Sequence, residues 1–151
     1  MIIKTVGISR TRLFRDLMVT LFTEDDDIEL CGVMHGSIDF CKVCAADPPD
    51  AVFWHDEGPD YDTLLGINEV MAAFPDVKLV AMVSYGDDKI VMPLLAAGVH
   101  ACLGPKDGLK EVGAAVRLVV GGEKYVSPCV LELADRSTTN RMENSGREEP
   151  L

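Results

Sequence analysis

The sequence predicts an α/β fold in which a parallel sheet is covered by helices on both faces. Two observations carry this reading. Short apolar runs recur along the chain at residues 2–8, 28–34, 51–54, 77–83 and 100–103, nearly continuous rather than alternating, as strands buried on both faces are. Between consecutive runs lie segments with helical spacing, helix caps or helix stops, and such strand-helix alternation brings successive strands into parallel register.

Each element has its own signal. The first run is followed by a helix at residues 12–22, where Leu13, Leu17 and Leu21 recur every four positions, and the acidic run Glu24 to Asp27 closes that unit. After the second strand, Ser37 is placed to cap a helix reaching Ala46, which Pro48-Pro49 stops. The third strand leads through Gly58 and Pro59 to a helix at residues 63–74. Following the fourth strand, Asp87 can cap a helix that ends at Gly98, a C′ glycine. A short fifth strand and a helix at residues 109–120 complete the pattern before Gly121-Gly122. The expected architecture is a flavodoxin-like, doubly wound (βα)5 domain with a five-stranded parallel sheet, whose sites form at the carboxyl ends of the strands. Residues 1–128 are read as that domain and 129–151 as a linker or disordered tail, polar and unpatterned from about Arg136 onward.

Composition narrows the function. A chain of 151 residues with 48% hydrophobic residues suits one domain with an ordinary core. Its net charge of −11 supplies no basic face for nucleic acid or anionic membranes. No apolar run approaches the ~20 residues of a membrane span, and the start is too short and strand-like for a signal peptide, so the expected compartment is the cytoplasm. Five cysteines, an odd number, fit reduced core thiols better than a disulfide framework.

Three stretches carry a more specific resemblance. RTRLFRDLMVTLFTEDDDIELCGV, FPDVKLVAMVSYGDD and AAGVHACLGPKDGLKEVGAAVRLVVGGEKYVSP together resemble response-regulator receiver domains of the NarL/LuxR-type branch over roughly the first 128 residues. The resemblance implies an element of two-component signalling, and in that family a DNA-binding helix-turn-helix follows the receiver. Either this chain is a piece of such a protein or it is a stand-alone receiver.

Receiver chemistry, as the resemblance implies it, needs a carboxylate nucleophile ending strand three, an acid pair for Mg²⁺ after strand one, a hydroxyl after strand four and a lysine after strand five. Counting forward from Asp50, and independently backward from Pro59, puts His55 at the nucleophile position with Asp56 one residue late, and a one-residue slip turns a strand side chain to the other face. Ser9 and Arg10 stand where the acid pair should be, and a serine and a cation cannot build a hard-cation site. The hydroxyl position falls on Val83, with Ser84 just beyond. Lys106 is present, offset by one residue. Cys102 takes the position where the family often places a switching aromatic. The expectation is a pseudo-receiver with no catalytic residue, no metal and no cofactor, and a degenerate pocket of His55, Asp56, Ser9, Arg10, Val83, Ser84 and Lys106.

Within that pocket, His55 is open to three readings: a hydrogen-bonded neutral imidazole, a pH or ligand sensor, or a nitrogen phosphoacceptor. Arg10 could pair with Asp56 or Glu57 where the metal would sit, or point to solvent. Cys41-Lys-Val-Cys44 lacks a second ligand pair at zinc-finger distance, the three histidines share no metal-ligand spacing, and the methionines suit core filling. Pro93, inside the fourth helix, is expected to bend it. The expected function is that of a non-enzymatic receiver-like regulator of transcription, phosphorylation-independent, forming a homodimer through the region from Asp87 to Val120 and reaching DNA only through a further domain. Two alternatives are an adaptor docking on a histidine kinase or another regulator, and an unorthodox phosphoacceptor using Asp56.

Overall fold

In the computed structural model the described residues are 1–56, 60–84 and 88–135. Six strands form one parallel sheet: β1 (Ile3–Ile8), β2 (Ile28–Met34), β3 (Ala51–Asp56), β4 (Lys78–Val83), β5 (Ala101–Leu103) and β6 (Tyr125–Val126). Their order is β2-β1-β3-β4-β5-β6, so the chain winds first one way from β1 and then the other. Helices α1 (Arg12–Leu21), α2 (Ser37–Val43), α3 (Tyr61–Ala73), α4 (Asp88–Ala96) and α5 (Leu109–Val120) connect them. A further helix, α6, covers residues 128–135.

Two cores flank the sheet, and strand alternation assigns each side chain to one of them. On one face Val52 and Trp54 of β3, Leu79 and Ala81 of β4 and Cys102 of β5 pack under α2, α3, α4 and α6. On the other, Ala51 and Phe53, Val80, Ala101 and Leu103 pack under α1 and α5. Helix α1 meets that core through Phe14, Met18 and Phe22. Leu13 and Leu17 of its leucine stripe turn outward instead, 69% and 52% exposed, while Leu21 packs against the core. Gly7 of β1 permits the close approach of α1, because a Cβ there would lie 2.5 Å from the Met18 sulfur.

The structure amends the sequence reading in four places. The sheet has six strands where five were expected, because Tyr125 and Val126 pair with Ala101 and Cys102. The domain does not stop at residue 128: α6 inserts Val130, with no exposed surface, into the core and packs Leu133 and Ala134 against it. Strand β3 runs on to Asp56, so His55 lies inside a strand, paired with Met82, and not at its exit into a loop. Gly36, and not Ser37, is the N-cap of α2, and the Ser37 hydroxyl instead donates to Glu69 at 3.2 Å. Gly98 has the positive φ of 85° expected of a C′ glycine. Asp87, Glu57, Gly58, Pro59 and the segment from Arg136 onward lie outside the described residues. Among the described residues, no helix is long and apolar enough to cross a membrane.

Candidate functional site

The carboxyl ends of β1, β3 and β4 bring two separate clusters together, one on each face of the sheet. Their separation follows from the alternation of β3, which sends His55 to the face of Phe53 and Asp56 to the face of Trp54.

On the first face, His55 is only 1% exposed. Its ring lies flat on Phe14 of α1, with centroids 3.3 Å apart and planes 5° from parallel. The Ser9 hydroxyl sits 3.2 Å from Nδ1 and the Ser84 hydroxyl 2.7 Å from Nε2. Ser9 Oγ also accepts the Thr11 N–H at 3.2 Å, which leaves its own proton to donate. As Ser9 is itself buried, the arrangement that strands no donor has the Ser9 hydroxyl donating to Nδ1 and Nε2–H donating to Ser84. Burial then holds the imidazole neutral, lowering its pKa from 6.5 to about 4 against the weaker opposing pull of Asp56. A neutral ring with both nitrogens engaged has no lone pair to offer a metal or a phosphoryl group.

The second face carries a charge cluster. Arg10 Nη2 donates to Asp56 Oδ2 at 2.9 Å and to Thr63 Oγ1 at 3.1 Å, while Nη1 donates to Asp60 Oδ2 at 3.3 Å. The Thr63 hydroxyl donates to Asp56 Oδ2 at 2.5 Å. Asp60 is the N-cap of α3 and accepts the Thr63 N–H at 3.0 Å, which lowers its pKa, helped by Arg10. Burial works against the Arg10 charge, but Asp56 and Asp60 outweigh it and raise its pKa. Beside this cluster opens a cavity of about 90 Å³ bordered by Trp54, Asp56, Ser37 and Gly66. Among the described residues, no group of three or more His, Cys, Asp or Glu side chains could hold a metal ion.

No protein-family model matches the chain. It is 31% identical over 110 residues to the transcriptional regulatory protein YhcZ of Bacillus subtilis (strain 168), covering 73% of this chain and 51% of that protein. It is 26% identical over 144 residues to the response regulator GacA of Pseudomonas syringae pv. syringae (strain B728a), covering 95% of this chain and 67% of that protein. The chain is thus similar in sequence to response regulators. Solved structures agree in fold: a LuxR-family two-component response regulator from Aurantimonas sp. SI85-9A1 superposes with a TM-score of 0.80 at 9% identity, over 92% of this chain and 99% of that one. The isolated receiver domain of RcsB from Salmonella enterica serovar Typhimurium gives 0.76 at 10% identity, over 88% of this chain and 99% of that one. The chain spans about half to two thirds of the length of the two curated relatives.

The seven pocket residues expected from the sequence do not converge. His55, Ser9 and Ser84 meet on one face, and Arg10 and Asp56 on the other. Val83 is buried in the core beneath α4, so the hydroxyl that reaches His55 is that of Ser84. Lys106, the offset lysine of the sequence reading, is 77% exposed and faces Glu132 of α6 at 3.9 Å. The loop after β5 is fastened by Asp107, which accepts the Gly104 N–H at 2.7 Å and the Cys129 thiol at 3.3 Å. Sequence reasoning missed Phe14, Asp60 and Thr63. The signal was present for the last two: an aspartate three residues before a threonine is an N-cap pattern one turn earlier than the helix start read at Thr63. His100 accepts the Leu79 N–H at 3.0 Å and is structural.

Proposed function

We propose that this receiver is a non-enzymatic regulatory domain of the NarL/LuxR type that works without aspartyl phosphorylation. One observation carries the reading: the Arg10 guanidinium sits on Asp56 at 2.9 Å, with Thr63 and Asp60 completing its partners. Phosphoryl transfer to a carboxylate needs that oxygen open to attack phosphorus and a cation shared with the phosphate. Here the strand's only end carboxylate is neutralised by a side chain, and Ser9 and Arg10 replace the acids that would hold Mg²⁺. Removing metal ligands and nucleophile together forfeits several contributions of a few kcal/mol each to the transition state.

The regulatory input is then binding or self-association. A homodimer through α4, β5 and α5 is one form of it, and DNA contact belongs to a further domain. YhcZ is named as a transcriptional regulatory protein, and RcsB has been solved as dimers bound to DNA, which is the setting this reading assigns to the chain. The deciding experiment is exposure to acetyl phosphate or beryllofluoride with Mg²⁺, read by intact mass and by amide spectra. We expect no 80-unit mass gain, the mass of an added phosphoryl group, and no shift at Ser9, Arg10 or Asp56. A stable adduct on Asp56 returns the chain to the phosphorylated receivers.

A further inference from the structure

A cavity of about 490 Å³ lies between α1 and α5, sharing only Phe14 with the His55 cluster. Its walls are Phe14, Leu17 and Leu21 of α1 and Leu109 of α5, with Glu24 and Lys110 among its polar edges. Leu17 and Leu109 are 52% and 58% exposed, an apolar surface that nothing within the described chain covers. The two helices follow parallel strands on one face of the sheet and therefore run side by side in the same direction. Lys110 opens α5 at the carboxyl edge of the sheet, whereas Glu24 follows α1 at the amino edge. The groove is thus elongated, about 15 Å for the ten residues of α1, and its ends differ in charge.

The acidic end is the stronger one. Helix α1 has no basic residue in its last turn, so the partial negative charge of its carboxyl end is not offset from within the helix. Asp25 and Asp27 are held by Arg117 of α5 at 2.6 and 2.7 Å, while among the described residues Glu24 makes no ion pair. At the other end Phe14 presents one side to the groove and stacks its ring on His55.

We propose that the α1–α5 groove binds an elongated amphiphile with a cationic head, the head beside Glu24 and the apolar body along Leu17, Leu21 and Leu109 with its tip on Phe14. The volume falls within the range of small-molecule pockets, and the net charge of −11 favours a cation over an anion. Because Phe14 stacks on His55 and His55 donates to Ser84, a ligand that moves Phe14 acts on Ser84, which follows β4. This inference rests on the reading of a domain switched by binding, since it names the ligand class.

The test titrates decylammonium, decanol and decanoate, each below its micelle concentration, into the 151-residue chain while amide and histidine-ring NMR signals are followed. A parallel sample receives acetyl phosphate and Mg²⁺. Decylammonium should bind saturably, shifting amides of α1 and α5 and the His55 ring, with decanoate about tenfold weaker. Glu24→Gln should weaken decylammonium about fivefold, as expected for loss of a partly exposed charge contact, and leave decanol unchanged. Leu17→Glu, at an exposed position, should abolish decanol binding with the fold intact. Equal affinity for decanoate, non-saturating shifts, or shifts that leave the amides of α1 and α5 unmoved would overturn the site, and an unmoved His55 ring would overturn the relay. Phosphoryl uptake with ligand binding intact defeats only the phosphorylation-independent reading, and absent ligand binding with no phosphoryl uptake defeats only the groove.

Discussion

His55 shows how a single side chain can be placed by counting and still be misread in its surroundings. Its position on β3 was legible because the flanking Asp50 and Pro59 bracket it, but its neighbours come from β1, α1 and β4, far apart in sequence. Phe14 in particular gives no local sign that it will stack on a histidine 41 residues away. The stack and the buried hydroxyls fix the pH behaviour. The folded-state pKa of about 4 lies below the unfolded value near 6.5, so the unfolded chain binds more protons between those values. Stability is therefore complete above pH ~6.5 and falls as pH drops toward 4, by about 3 kcal/mol from this residue. Urea melts of wild type and His55→Gln across pH 4–7 should show the slope in the wild type and much less of it in the variant, and equal slopes would refute the assignment. Thr5 offers a second residue-scale test. Its hydroxyl is fully buried and, among the described residues, has no hydrogen-bond partner, beside the register shift between β1 and β2. Thr5→Val keeps the shape and removes an unpaired polar group, so it should stabilise the domain by about 1 kcal/mol in denaturant melts.

At the scale of elements, the alternation of strands and helices was readable because parallel strands buried on both faces leave unbroken apolar runs. What escaped was the carboxyl end. Strand β6 has two residues, too few for any periodicity, and α6 was absorbed into a polar tail. Its signal was there: Ser127 and Pro128 are a cap and a first-turn proline, and Val130, Leu133 and Ala134 recur at helical spacing. The seat of α6 is narrow. A Cβ at Gly104 would stand 2.7 Å from the Cys129 sulfur and 3.2 Å from a Val130 methyl. Gly104→Ala should consequently cost about 1–3 kcal/mol by overpacking, measured as a lowered denaturation midpoint. Adding Cys129→Ala removes the nearer obstacle and should recover part of the loss, whereas strictly additive costs would mean that α6 does not seat against Gly104.

For the whole molecule, charge sets the dominant expectation. With 25 acidic and 14 basic residues, the folded chain repels itself, and added salt should stabilise it by screening. This general response separates from a specific one, because a receiver that holds Mg²⁺ in a built site gains RT ln(1 + [Mg²⁺]/Kd) beyond screening, about 2.7 kcal/mol at a hundred times Kd. On the reading proposed above the place for that ion is taken, since Arg10 pairs with Asp56 and Ser9 contacts His55 and the Thr11 N–H. Asp25 and Asp27, the other close pair of acids, are closed by Arg117, whose own pKa they raise. Thermal melts in MgCl₂ and NaCl should accordingly superimpose once ionic strength is matched, with no excess for the divalent salt. Arg10→Ala supplies the counter-test, since it uncovers Asp56 and Asp60 together. If Mg²⁺ then raises the midpoint above the matched NaCl value, the guanidinium is the resident substitute for a metal, and if the unaltered chain already shows that excess, the domain is an ordinary cation-binding receiver.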